Sequence, residues 1–270
     1  MIEALIGIPA VLLLALVVVQ LALLMQARDA LHVALLEAAR AGSVAHAGTA
    51  AIQAGLARGL GPLFPTGGGS PDPQGAGRRA AAELQSGLRS GWIRLQKVSP
   101  TRESFADWGQ PARDERGEPL DGTEIPVDNL ATESRRTVPA SGEVGLLGDA
   151  PIGRASGQTL VDATLLKLQL DYGVPLDVPL AGPMIAWALS AADGCAPASD
   201  RRLGAIDLGR PARDRQARGW ACAFYRASGT DAGARPRIPV RATALIRMQT
   251  APRLDSDTQA RAATAPTRTP

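Results

Sequence analysis

The chain has 270 residues, 29 of them basic against 26 acidic, and only 3% are aromatic. A net charge of +3 spread along the sequence leaves no footprint for nucleic acid, and the length suits one membrane segment plus one domain of ordinary size. Glycine (29) and proline (21) supply nearly a fifth of the residues, which fits a loop-rich domain with a thin core.

Between Ala4 and Met25 there is no charged residue and one strongly polar one, Gln20. At about 1.5 Å of rise per residue this run makes a helix of about 33 Å, enough for a hydrocarbon core of about 30 Å. Glu3 stands just before the run and Pro9 follows six positions later. A cleavable secretory signal has a basic start, a shorter apolar stretch of about 7–15 residues and a small-residue cleavage site. Here no Lys or Arg precedes a longer run, and the helical pattern continues past it, so residues 1–25 read as a retained transmembrane anchor.

Residues 26–65 read as a helical extension. The first helix is expected to run into the mid-40s, with Ala30, Ala34, Ala38 and Gly42 recurring at strict intervals of four. Small residues at that spacing let two helix backbones approach closely, the common route to helix association near a membrane. The plain alternative is that alanine is a good helix former. An amphipathic piece from Thr49 to Leu60 follows, ended by Gly61, Pro62 and Pro65. Residues 66–77, TGGGSPDPQGAG, read as a Gly/Pro linker.

Residues 78–250 form the expected α+β domain. It starts with a helix in RRAAAELQSGLRSG, with Ala80, Leu84 and Leu88 at intervals of four, and a strand in WIRLQKVSP stopped by Pro100. Residues 101–160 read mostly as loop, with short extended pieces such as Glu124 to Val127. In ATLLKLQLDYGV, Leu166, Leu168, Leu170 and Tyr172 alternate with Lys167, Gln169 and Asp171. In RIPVRATALIRMQ, Ile238, Val240, Ala242, Ala244, Ile246 and Met248 alternate with Arg237, Arg241, Thr243 and Arg247. Both patterns describe antiparallel sheet with one face on a core and one in water. Between them LAGPMIAWALSAADGC reads as a short helix or buried segment and WACAFYRA as a further strand. Pro252 to Pro270 has little to pack, so 251–270 reads as a disordered tail.

Cys195 and Cys222 are a disulfide pair in an oxidising compartment and two buried thiols in a reducing one. No catalytic constellation assembles. The two histidines, His32 and His46, lie 14 residues apart on one expected helix, about 20 Å along its axis, and cannot share a metal ion. The Thr66–Gly69 stretch lacks the Gly-Lys-Ser/Thr of a phosphate loop. Asp114/Glu115 read as solvated loop acids. The chain is therefore expected to be no enzyme, with no metal and no cofactor.

The N-terminal stretch IEALIGIPAVLLLALVVVQLALLMQARDALHVALLEAARAGSVAHA resembles the TadE/TadG-like minor pilins of the tight-adherence (Tad) subclass of type IV pili. The shared features are the acid at the helix start (Glu3), the proline six residues later (Pro9), the apolar run, and the D-A-L…A-A-R-A-G segment from Asp29 to Gly42. Three later segments, IPVDNLATESR, GQTLVDATLLKLQLDYGVPLDVPLAG and IRMQTAP, look like parts of longer members of that family. About half the chain takes part in the resemblance.

The resemblance implies a pilin-like extracytoplasmic domain behind a single-pass anchor in the bacterial inner membrane, with that domain in the periplasm or on a surface pilus. It implies membrane lipid, other pilus subunits and the assembly machinery as partners, and no nucleic acid. It gives Glu3 the role of engaging the N-terminal amine of an adjacent subunit, where a lone carboxylate at the rim of a hydrocarbon core would otherwise be costly. The alternative for Glu3 is an acid favoured by the helix dipole. A prepilin peptidase is a further implied partner, and the basic leader ending in Gly on which it acts in this family would lie upstream of Met1. Against a type II secretion pseudopilin, the first turn lacks Phe-Thr-Leu before the acid. The alternative from a different class is a bitopic envelope protein whose helix only anchors it and whose domain binds a ligand or another envelope protein.

Overall fold

In the computed structural model, which describes residues 2–64, 73–114, 116–195, 221–225 and 235–254, one helix, α1, runs unbroken over Ile2–Ser43. After it come α2 (Thr49–Leu60), a single 3-10 turn (Gly61–Leu63), α3 (Pro73–Ser90), β1 (Ile93–Ser99), α4 (Arg102–Trp108), β2 (Gln110–Arg113) and β3 (Pro119–Glu124). Then follow α5 (Leu130–Arg136), β4 (Glu143–Leu147), β5 (Ala150–Gly153), α6 (Leu160–Ala163), β6 (Leu165–Pro175), α7 (Ala181–Ala192), α8 (Cys222–Tyr225) and β7 (Arg237–Arg247). The strands make one three-stranded sheet of order β1–β6–β7 and two hairpins, β2–β3 and β4–β5. Both hairpins are antiparallel. At one end of the β6–β7 pair Leu176 donates its N–H to Pro236, and at the other Met248 donates to Thr164, so these strands also run antiparallel. The chain is thus α+β. By its internal contacts it divides into two compact units, Met1–Asp29 with Gln85–Arg94 and Asp171–Arg241, and Ala30–Leu84 with Leu95–Leu170 and Ala242–Pro270.

In the first unit, Tyr172, Val174, Leu176, Val178, Ala181 and Ala186 are buried along the end of β6 and the start of α7. Trp92 meets Tyr172 edge-on at 5.4 Å between ring centroids, and the Arg237 guanidinium lies 3.8 Å from the Trp92 centroid. Cys195 and Cys222 form a disulfide, and Cys195, Ala221 and Tyr225 pack into a small cluster with Leu189 beside it. Closing a loop of this length stabilises the fold by about 3.5 kcal/mol on the chain-entropy argument.

The second unit opens with a helical hairpin in which α1 from Ala30 onward packs on α2. Its other centre joins Phe105, Trp108, Ile125, Leu130, Leu160 and Ala163. Two of the short helices around that centre are fixed by side-chain caps rather than by length. Thr101 and Ser104 form a capping box on α4, and Thr159 and Asp162 form one on α6.

The structure corrects several expectations. Residues 101–160 are not mostly loop: they hold α4, β2, β3, α5, β4, β5 and α6. Elements of four to seven residues are too short to show a period, and their capping boxes and turn glycines carry the signal instead. Within the expected extended piece Glu124–Val127, only Glu124 lies in a strand, and Ile125 is a fully buried core residue. The expected linker 66–77 gives way at Pro73 to the first turns of α3, where proline suits the start of a helix; Thr66 to Asp72 lie outside the described residues. WACAFYRA is not a strand where it is described, because Cys222–Tyr225 is one helical turn tied to Cys195.

Asp171, assigned to the watery face of β6, is buried. From Leu170 to Val174 the strand is covered on both faces, and the charge is met by a bidentate pair with Arg241, Nε–Oδ1 2.6 Å and Nη2–Oδ2 3.1 Å. That hydrogen bond holds the Arg241 guanidinium above its ordinary value, with burial opposing it and the attraction of Asp171 adding to it.

The expected tail begins in ordered structure. Pro252 accepts from Ile125 N–H, Arg253 pairs with Glu124 at 3.2 Å, and Leu254 donates to Thr123; residues 255–270 lie outside the described residues. His46 is not on the first helix. It follows the helix end at φ +54°, its N–H bonded to Thr250 Oγ1 and its Nδ1 bonded to Ala251 O at 2.7 Å, which makes Nδ1 the protonated nitrogen.

Candidate functional site

The residues that stand out chemically are those of α1 that nothing covers. From Gly7 to Val19 every side chain is exposed or half-exposed and none is charged; Val11 is 69% exposed and Leu14 63%. In water, a helix hydrophobic all round and buried nowhere is unstable, so such a surface belongs against lipid or other helices. By length and composition α1 is long and apolar enough to cross a membrane.

Glu3 lies in the first turn of α1. Pro9 sits inside the helix with its side chain exposed. Its ring removes the N–H that would have bonded the carbonyl of Leu5, a defect that a lipid-facing helix satisfies through neighbouring helices or local backbone adjustment.

Gln20 interrupts the uncovered stretch, which runs on through Leu21, Leu23 and Met25. It is 1% exposed, and its Oε1 accepts the backbone N–H of Val178 at 3.0 Å. A primary amide on an apolar helix carries an unmet need for partners, and here the segment after β6 supplies one. No sequence period singles out Gln20 for this. Its isolation among 21 apolar or small neighbours is the only signal.

From Ala27 the same helix changes character. Ala27, Leu31, Ala34, Leu35, Ala38, Ala39, Gly42 and Ser43 are buried, at helical spacing along one face. The stripe of small residues is part of that face. Ala34 and Ala38 are fully buried, Gly42 is buried and Ala30 half-buried. Its partner is α2 of the same chain. A Cβ placed on Gly59 would stand 2.5 Å from Ala34 Cα, and one on Gly55 2.9 Å from Ala38 Cα. A Cβ on Gly42 would stand 2.7 Å from Ile52 Cγ1. The stripe therefore does let two helix backbones meet, within one chain. Gly55 and Gly59, spaced by four and facing it, complete a small-xxx-small contact that the sequence reading passed over.

Elsewhere the second unit holds a buried carboxylate with its lone pairs occupied. Asp107 accepts from the hydroxyls of Ser141 and Ser156 and from the backbone N–H groups of Ala155 (3.2 Å) and Ser156 (2.7 Å). Burial pushes its carboxyl upward, and these four hydrogen bonds together outweigh that and hold it below the usual value. The arrangement ties α4 to the loops at Ser141 and Ser156, and no base stands among its hydrogen-bond partners to make a hydroxyl nucleophilic. His32 is half-buried on α1 and His46 is bound into the turn after it. Among the described residues no three His, Cys, Asp or Glu side chains gather as a metal site would.

No protein-family model, no curated protein and no solved structure matches the chain.

Proposed function

We propose that the chain is a non-enzymatic, single-pass membrane protein that serves as a minor pilin or assembly component of a Tad-type pilus, working through its N-terminal helix. The observation that carries this reading is the uncovered apolar surface of α1 from Gly7 to Val19, set behind Glu3 and interrupted by Pro9. The disulfide in the first unit supports a domain outside the cytoplasm, in the periplasm or on the cell surface. Because Ala34, Ala38 and Gly42 are engaged by α2, the surface offered to lipid and to neighbouring subunits lies before Ala27, not on the small-residue stripe. Glu3 would meet the terminal amine of a neighbour there, and a prepilin peptidase would expose it.

The test replaces Glu3 with Ala in the native cell. The expected result is a stable protein in the inner-membrane fraction and loss of surface fibres. Normal fibres in both this variant and a strain lacking the gene would sink the proposal.

A second reading has one observation in its favour. The stripe that would have served helix association is used inside the chain, as it would be in a bitopic envelope protein whose helix is an anchor alone and whose domain binds an envelope partner. That reading predicts that shuffling Val11, Leu12, Leu14 and Val18 among themselves leaves function intact. The pilin reading predicts loss of fibres from the same change.

A further inference from the structure

Helix α7 is built inside out for a protein surrounded by water. Its buried residues are the small ones, Ala181, Gly182 and Ala186, while Met184 and Trp187 point outward with Leu180 just before them, Trp187 at 75% exposure. Leu180, Met184 and Trp187 fall at i, i+4 and i+7, on one face, and Pro183, Ala188 and Ala191 extend it. No residue from Leu180 to Ala192 is charged. Leu180 also takes φ +65°, a backbone state leucine rarely adopts, so an exposed large apolar side chain is kept where glycine or asparagine would be easier in water.

A second observation says what covers this face. Val178, two residues before Leu180, gives its N–H to Gln20 of α1. The apolar run of α1 continues past Gln20 through Leu21, Leu23 and Met25, all exposed, and ends at Gln26 and Arg28. Six residues separate Gln20 from Gln26, about 9 Å of helix. If the membrane boundary lies at Gln26, where the polar residues begin, Val178 is held about that far inside it. An interfacial helix buries its apolar face about 5–10 Å into the headgroup and acyl boundary, and tryptophan favours that depth. Asp177, next to Val178, is ion-paired with Arg235, both partly exposed, which suits the headgroup layer rather than the hydrocarbon centre.

Resting on the reading of α1 as a membrane anchor, we infer that α7 is an interfacial helix, laying Leu180, Met184 and Trp187 into the outer boundary of the same bilayer that α1 crosses. The first unit would then sit against the membrane, and the bilayer rather than a partner protein would satisfy its outward apolar face. Gln20 would be the polar fixing point between the two helical segments at that depth.

The experiment places the full-length protein in phosphatidylcholine/phosphatidylglycerol vesicles, with and without bromine at carbons 6 and 7 of the acyl chains. Tryptophan emission of the native protein is compared with that of Trp187→Ser, whose side chain is mostly exposed and whose loss leaves the fold in place by circular dichroism. Flotation reads the anchor separately. The expected result is that both proteins float and that the bromine-quenchable emission falls at least twofold in Trp187→Ser. If both float and the quenchable emission is the same in the two, α7 is out of the bilayer and the inference fails while the anchor stands. If Trp187 is shielded from both brominated lipid and aqueous acrylamide, a protein surface covers the face and the inference fails as well. If neither protein floats, the anchor reading fails and takes this inference with it.

Discussion

The two halves of α1 are made from much the same residues and do opposite things. Before Gln20 the helix is alanine, leucine, valine and isoleucine, with no buried side chain between Gly7 and Val19; after Ala27 it is again rich in alanine and leucine, and one face is fully covered. Their apolar residues do not separate them. What differs is the presence of a polar face. Arg28, Asp29, Glu37 and Arg40 leave the later half a single apolar stripe, and α2 covers it, whereas the earlier half is apolar in every direction and nothing folds over it. A helix with one apolar face can be completed by its own chain, and a helix with apolar faces all round needs an apolar medium or many partners.

The largest effect should come from disturbing the covered half. Gly59→Leu puts a Cβ 2.5 Å from Ala34 Cα and further atoms beyond it. Overpacking of a tight site costs about 3 kcal/mol or more when the obstacle is backbone. The full-length protein in detergent should lose at least a third of its helical ellipticity at growth temperature or melt several degrees lower. Unchanged melting would mean that α1 and α2 are not in contact. The matching change in the uncovered half is Leu14→Asp. Leu14 is mostly exposed, so the melt should stay within about 0.5 kcal/mol of native. Insertion should suffer by about 3 kcal/mol, the cost of a carboxylate near the middle of a spanning helix, seen as protein shifting from the membrane pellet to the soluble fraction. Leu14→Asp protein that still resists carbonate extraction would count against the span.

The contrast also marks what could be read without coordinates. The apolar run, the end of α1 near Ser43, the amphipathic α2, the alternation of Leu166, Leu168 and Leu170, and the Cys195–Cys222 pairing were legible, because each rests on a period or a residue type with few alternatives. Residues 101–160 were not, because α4, α5 and α6 are too short to carry a period; α4 and α6 are set by caps, and all three by distant core residues such as Ile125 and Leu160. Asp171 was misread because alternation says which residues share a face and is silent on whether the second face is also covered. The destination of the small stripe was missed for a different reason: Gly55-x-x-x-Gly59 offers the same close approach as a foreign helix, and a partner within the chain has the advantage of high effective concentration.

Acidification should act on one side of the comparison only. Between Glu3 and Arg28 α1 has no titratable group, so with Glu3 replaced by Ala its partition into membranes should not change over pH 7 to 4. The second unit contains Asp107, whose native value is depressed. A depressed carboxyl contributes stability that is fully present above the unfolded value of about 3.9 and is lost as pH falls below that toward the native value. Denaturant midpoints should therefore fall below about pH 4, and less so in Asp107→Asn. At neutral pH that variant should already be weaker by about 2–3 kcal/mol, because an amide nitrogen faces donors where a carboxylate accepted them. Native-like stability of Asp107→Asn at neutral pH would show that the hydrogen bonds from Ser141 and Ser156 carry little.

The smallest expected effect lies at the border between the two halves, and it is the most specific. Gln20→Leu makes the apolar run of α1 more continuous, so membrane association should hold or improve. The same change strips Val178 N–H of its acceptor inside a buried contact, which costs about 1–2 kcal/mol. The two consequences point in opposite directions, so neither a general loss of folding nor a general gain in hydrophobicity can imitate the result. Hydrogen exchange reads it residue by residue: the Val178 amide should exchange about tenfold faster, since 1.4 kcal/mol corresponds to one decade. Amides in the helical hairpin around Leu56 should keep their protection. If Val178 exchanges at the native rate in Gln20→Leu, the polar residue in the apolar run is not fixed by the segment after β6, and the burial of Gln20 must have another cause.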